Sequence, residues 1–271
     1  MKLTLLCLLL IPFAVIANEE PVTFSEVLEL EVREPDAVVR YGDSDQQFGE
    51  LWLPGESSKG LIVFVHGGCW LNQFDVKHSR PLAHQLAEDG YTVWSLEYRR
   101  LGDPGAGIPG TFDDLALATE DLNRLKAFGV ETQRILIAGH SAGGHLALWT
   151  SARFPERFTG ALGMAAITDL AEYAKGDSPC EQAALTLMGG LSEEQPDRYQ
   201  AYSPAELKLH ENTHLIQGKQ DAIVPGAQSL ALDLNEGRVS YTPGGHFDLM
   251  HPMTRDYNSV HQKIEEILRC I

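Results

Sequence analysis

The sequence is short of positive charge. Its 21 Lys and Arg residues stand against 38 Asp and Glu, a formal net charge of −17 over 271 residues. Such a chain repels phosphate backbones and anionic lipid headgroups, and no Lys/Arg cluster reverses the sign locally, which argues against a nucleic-acid partner. Cysteine is also scarce: apart from Cys7 there are only Cys69, Cys180 and Cys270. An odd number of that size rules out a disulfide scaffold. Export would permit a bridge between Cys180 and Cys270, and free, partly buried thiols are the other reading. No His, Cys, Asp or Glu spacing of the zinc or calcium type occurs, so no metal is expected. Internal repeats are missing as well.

A membrane-length apolar run is lacking too. The apolar stretch from Leu3 to Ile16 is short and broken by Pro12, a poor membrane span. Preceded by Met1-Lys2 and followed by small Ala17 and polar Asn18-Glu19-Glu20, it reads as an export leader cleaved near Ala17. That leaves residues 18–271 as one domain without a stable membrane anchor, periplasmic or secreted. Hydrophobic residues make up 44% of the chain, enough to bury a sizeable core.

What is present changes character near Leu61. Before it, "VLELEV", "AVVRYG" and "QFGELWLP" alternate apolar and polar residues between turn formers, the pattern of short antiparallel strands with one wet face. After it, apolar runs ("LIVFV", "YTVWSLEY", "RILIA", "GALGMAAI", "THLIQG", "RVSYT") alternate with helical patterns near 79–88, 112–128, from 142, near 226–235 and from 254 to 268. This βαβ rhythm predicts an α/β fold with a doubly wound, mostly parallel sheet. Residues 168–209 break the rhythm with several Gly and Pro residues, and read as a small helical, cap-like insertion over the rim of the sheet.

The strongest chemical signal is Gly139-His140-Ser141-Ala142-Gly143, a G-x-S-x-G between an apolar strand and a helix. A sharp strand-to-helix turn lifts a serine Oγ above the sheet and sets it at a helix N-terminus, where negative charge is favoured. An ordinary serine N-cap is the competing reading. A serine nucleophile needs a base and an acid to orient it, and in this arrangement they follow in the order acid, His. Asp221, in "QGKQDAIVP", and His246, in "GGHFDLM", each lie just past an apolar strand, so their loops open on the rim where Ser141 emerges. Asp248, Asp233, His251 and His261 are weaker candidates by position. His66-Gly67-Gly68-Cys69-Trp70 follows "LIVFV", a strand-to-helix loop whose backbone N–H groups can join that of Ala142 as oxyanion donors. Gly105 to Gly110 matches G-x-G-x-x-G, but the intervening Arg99 to Pro104 separate it from its strand, so it reads as a flexible rim loop and not as a dinucleotide site.

In the motifs "HGGCW", "EYRRLGDPGAGIPGTFDDL", "GHSAGGHLAL", "QGKQDAIVP" and "GGHFDLMHP", taken in order, the chain resembles the α/β-hydrolase superfamily, in particular its secreted esterase and lipase-like branch and the kynurenine formamidase-like group. The resemblance covers roughly Glu50 to the C-terminus. It implies Ser141 as nucleophile, His246 as base, Asp221 as acid, oxyanion donors from Gly68, Cys69 and Ala142, and no cofactor. Cys69 stands where related esterases carry a third Gly, and "EYRR" stands where they carry Tyr-Arg-Leu-Ala-Pro. The expectation is an exported serine hydrolase acting on small carboxylic esters, with Trp70 and Tyr173 as candidate pocket walls. An arylformamidase-like amide hydrolase and a non-catalytic binding protein on the same fold are the alternatives.

Overall fold

The computed structural model describes residues 20–269. The leader, Cys7 and Cys270 lie outside the described residues. Eight strands form one sheet: β1 (Ala37–Arg40), β2 (Phe48–Trp52), β3 (Leu61–Val65), β4 (Thr92–Leu96), β5 (Ile135–His140), β6 (Gly160–Met164), β7 (Thr213–Gly218) and β8 (Val239–Thr242). Their spatial order is β1-β2-β4-β3-β5-β6-β7-β8. β1 and β2 are antiparallel to their neighbours, and every pairing from β4 through β8 is parallel. This is the expected architecture.

Alternation along the central strands shows why both faces are covered. Val63, Val65 and Ile137 pack into one apolar cluster with Phe112, Leu115 and Leu146. Their neighbours Ile62, Phe64, Leu136 and Ala138 join Leu82, Leu86, Val260 and Ile264 on the other face. A strand with no wet face must be apolar along its buried length, as β3 is and as β5 is up to its terminal His140. α3 (Gly110–Glu120) and α4 (Ala142–Arg153) cover the first face; α2 (Arg80–Glu88) and α9 (Arg255–Arg269) cover the second. In α9, Tyr257, Val260, Ile264, Ile267 and Leu268 recur at helical spacing on the buried side.

Four local expectations are corrected. "VLELEV" does not form a strand; Phe24–Leu28 is a short helix, α1, whose Thr23 and Glu26 close a reciprocal capping box. The 112–128 pattern divides into α3 and a 3₁₀ stretch, Leu122–Phe128, with Asp121 capping the new start. The 226–235 pattern is helical only in α8 (Ala227–Leu230). The Gly105–Gly110 loop is fastened rather than loose: Arg99 donates to the carbonyls of Gly105 and Gly110 while gripping buried Asp114 through several hydrogen bonds. Between β6 and β7 the chain runs through α5 (Leu170–Tyr173), α6 (Pro179–Met188) and α7 (Pro196–Tyr202).

Candidate active site

Parallel strands bring their C-terminal ends to one rim, and the chemistry gathers there. Ser141 sits between β5 and α4 with φ 57° and ψ −121°, a conformation that L-residues rarely adopt, and its side chain makes no capping hydrogen bond. That excludes the ordinary N-cap. The turn is possible because the chain next to it is bare: a Cβ on Gly143 would collide with the carbonyl oxygens of Val65 and His66.

Asp221 and His246 come from the loops after β7 and β8. His246 Nδ1 lies 2.7 Å from Asp221 Oδ2, with the Asp side chain fully buried and the His side chain 6% exposed. A carboxylate can only accept, so in the neutral imidazole this contact puts the proton on Nδ1 and the lone pair on Nε2. Asp221 is aimed by its own loop: Oδ1 accepts the N–H groups of Ile223 and Val224, both at 2.8 Å, and Oδ2 also accepts Gln217 Nε2 at 3.1 Å. The His246 loop is tied back to the nucleophile turn by His140, whose Nε2 donates to the His246 carbonyl at 2.9 Å. Burial, with His246 beside it, pushes the His140 imidazole well below its ordinary range, so that ring is a neutral strut. Asp248 accepts the N–H groups of Gly245 and Val22, so it braces the turn and does not orient His246.

The candidate oxyanion loop, Gly68 to Trp70, is built differently. Gly68, Cys69 and Trp70 all have positive φ, at 102°, 53° and 56°. For the two non-glycine residues this costs on the order of 1–3 kcal/mol each and persists only where surroundings enforce it. The surroundings are dense. At Gly68 a Cβ would collide with the Phe74 side chain. Trp70 is fully buried, and its indole N–H donates to His145 Nδ1 at 3.2 Å; His145 Nε2 in turn donates to the Tyr202 carbonyl at 2.8 Å. Burial pushes His145 down to about 4, keeping it neutral for that relay. Among the described residues the backbone N–H groups of Gly68, Cys69 and Ala142 have no hydrogen-bond partner, which leaves one free donor at the N-terminus of α4 and two in the loop after β3.

Beneath the loop lies a buried acid that sequence reasoning missed. Glu97, at the end of β4, meets His66 Nε2 at 3.0 Å and Arg100 Nη2 at 3.3 Å, and accepts the N–H groups of Val76 and Tyr98. Burial alone would raise its carboxyl; His66, Arg100 and the Tyr98 N–H outweigh burial and hold it below the usual carboxylate range. Its position directly past an all-buried strand, on the rim that carries Asp221 and His246, was a usable signal.

Trp70 and Tyr173 are not open pocket walls. Tyr173 is buried and its hydroxyl donates to the Ile223 carbonyl at 3.2 Å, so both rings brace loops from inside. A partly exposed aromatic stands elsewhere: Phe24 of α1 contacts Phe74 on the oxyanion side and Phe247 on the His246 side, each with centroids 5.5 Å apart. A cavity of about 540 Å³ between Phe112, Trp149 and Tyr202 contains none of Ser141, Asp221 and His246.

The cysteine expectation is also corrected. Cys180 is bonded to Cys69, with Cα atoms 5.0 Å apart across 111 residues of sequence, so Cys270 is not its partner. The link joins the oxyanion loop to the first turn of α6.

Comparison with known proteins fits this architecture. An isoprenylcysteine alpha-carbonyl methylesterase of Arabidopsis thaliana is 34% identical over 114 residues, 40% of this chain and 25% of that protein. Esterase LipU of Mycobacterium tuberculosis is 30% identical over 125 residues, 45% of this chain and 40% of that protein. The matched segment thus spans a quarter to two fifths of these relatives' length. In fold, the chain is similar to esterase B from Lactobacillus rhamnosis, with a TM-score of 0.69 and 21% identity, covering 90% of this chain and 92% of that one. A truncated carbohydrate esterase from gut microbiota gives a TM-score of 0.69 at 17% identity, covering 88% of this chain and all of that one. The sequence signature of the BD-FAE family matches residues 50–235, from β2 through the acid loop and α8. With that match over about two thirds of its length, and with an α/β-hydrolase fold, the chain belongs to the BD-FAE family.

Proposed function

We propose that this protein is an exported serine hydrolase that cleaves small carboxylic esters through an acyl-enzyme on Ser141. His246 Nε2 takes the Ser141 proton as Oγ attacks the ester carbonyl, and Asp221 stabilises the imidazolium that forms. The N–H groups of Ala142 and of the Gly68-Cys69 loop receive the negative charge that develops on the carbonyl oxygen. His246 then gives the proton to the departing alcohol. Water, deprotonated by the same imidazole, attacks the acyl-enzyme and releases the acid. The cycle draws only on side chains, backbone donors and water.

The observation that carries this reading is the 2.7 Å bond between His246 and Asp221 on the rim where Ser141 occupies a strained turn. Its relatives in sequence include a methylesterase and an esterase, which supports ester over amide. Hydrolysis of p-nitrophenyl acetate by the purified protein tests it. Turnover should fall by about 10⁶ in Ser141→Ala; undiminished turnover in that variant would remove Ser141 from the chemistry.

A further inference from the structure

The Cys69–Cys180 bond makes covalent contact between an oxyanion donor and a helix that lies outside the βαβ framework. We propose that Cys180 is a positioning residue: through the disulfide it holds the Cys69 backbone in its left-handed conformation, so that the Cys69 N–H points at the developing oxyanion. This rests on the serine-hydrolase reading above.

Two independent anchors hold the strained run, one to α4 and one to α6. Trp70 is fastened to α4 through His145, which fixes the end of the run. Cys69, immediately before it, has φ 53° and no backbone hydrogen bond from its N–H among the described residues. Its fastening is therefore its side chain. That side chain ends on Cys180, the second residue of α6, a helix started by a reciprocal Ser178–Glu181 capping box and Pro179, and packed inward by Ala183, Ala184, Leu187 and Met188. A rigid helix end is a good post for a strained loop, and a crosslink spanning 111 residues removes far more freedom than any local contact. Without it, Cys69 can relax toward ordinary φ and turn its N–H out of line, while the nucleophile, base and acid stay in place.

Catalysis should therefore be lost in kcat and not in KM, because the donor acts on charge that appears only in the transition state. The test uses the full chain as exported, comparing wild type, Cys180→Ala, and wild type reduced by dithiothreitol, whose dithiol closes to a cyclic disulfide as the two protein thiols form. Kinetics on p-nitrophenyl acetate and the rate of labelling by a fluorophosphonate are both measured. The expected result is a fall of about tenfold or more in kcat and in labelling rate with KM within about twofold, a fraction of the 10²–10³ seen when an oxyanion donor is removed outright. Reoxidation of the reduced wild type should restore the rate, which a folding defect in the variant would not mimic. Unchanged kcat and labelling rate in reduced, folded protein would overturn the proposal, as would a change confined to KM. If oxidised wild type takes no fluorophosphonate at all, the serine-hydrolase reading fails and this proposal falls with it; a labelled wild type with no effect of reduction defeats this proposal alone.

Discussion

The two sides of the candidate site are held by different means. On the acid-base side, Asp221 and His246 stand on loops three and four residues past their strands, aimed by short hydrogen bonds from Ile223, Val224 and Gln217. On the oxyanion side, three consecutive residues with positive φ are pinned by the Trp70–His145 hydrogen bond and a disulfide, while buried Glu97 holds His66 just before them. The difference suits the work proposed for each side. A base must turn over a proton and needs only orientation, which a carboxylate supplies. An oxyanion hole has to point fixed dipoles at charge that does not yet exist, so its geometry must be imposed by surroundings that cannot relax.

Breaking each side sharpens the contrast. On the acid-base side, Asp221→Asn should cost about 10⁴ in kcat by favouring the wrong His246 tautomer while leaving the fold intact, as circular dichroism and steady-state kinetics on p-nitrophenyl acetate would show. On the oxyanion side, the effects should reach stability as well as rate. Gly68→Ala puts a Cβ into Phe74 at φ 102° and should destabilise by more than about 1–3 kcal/mol with a parallel loss of kcat, read by urea unfolding and kinetics together.

Glu97→Gln probes the buried carboxylate. Its folded-state pKa is held below the ordinary carboxyl value of about 4.5, so its contribution is present above about pH 4.5 and is lost as pH falls through the folded value. At pH 7 the variant should lose about 3 kcal/mol, the low end for breaking a buried ion pair, and the gap to wild type should close below pH 4.5 in urea titrations. The smallest effect is expected at Phe24→Ala. Removing the ring that bridges Phe74 and Phe247 should lower kcat/KM on aryl esters by about threefold, the size of one aromatic contact, with alkyl esters less affected.

The acid-base side was legible in the sequence because each of its residues follows an apolar run directly, and strand ends predict the rim. Ser141, Asp221 and His246 all stand where the strand pattern places their loops. The parallel sheet was legible for the same reason, since β3 is apolar without interruption and β5 up to its terminal His140. The oxyanion side was only half legible. Gly67-Gly68 marked the loop, but the fastenings of its positive-φ run come from residues far along the chain: Cys180 and His145. No periodicity reports a contact between positions 69 and 180. The α1 error was local and avoidable, because "TFSE" carries a capping box that outweighed the alternation in "VLELEV".

The most direct test of Ser141, His246 and Asp221 as one catalytic unit is peptide mapping of the purified protein after treatment with a fluorophosphonate, which traps serines activated by a working base. One adduct, on Ser141, present in wild type and lost in folded His246→Ala, is the expected result. An adduct on another serine, or equal labelling of Ser141 in His246→Ala, would contradict it.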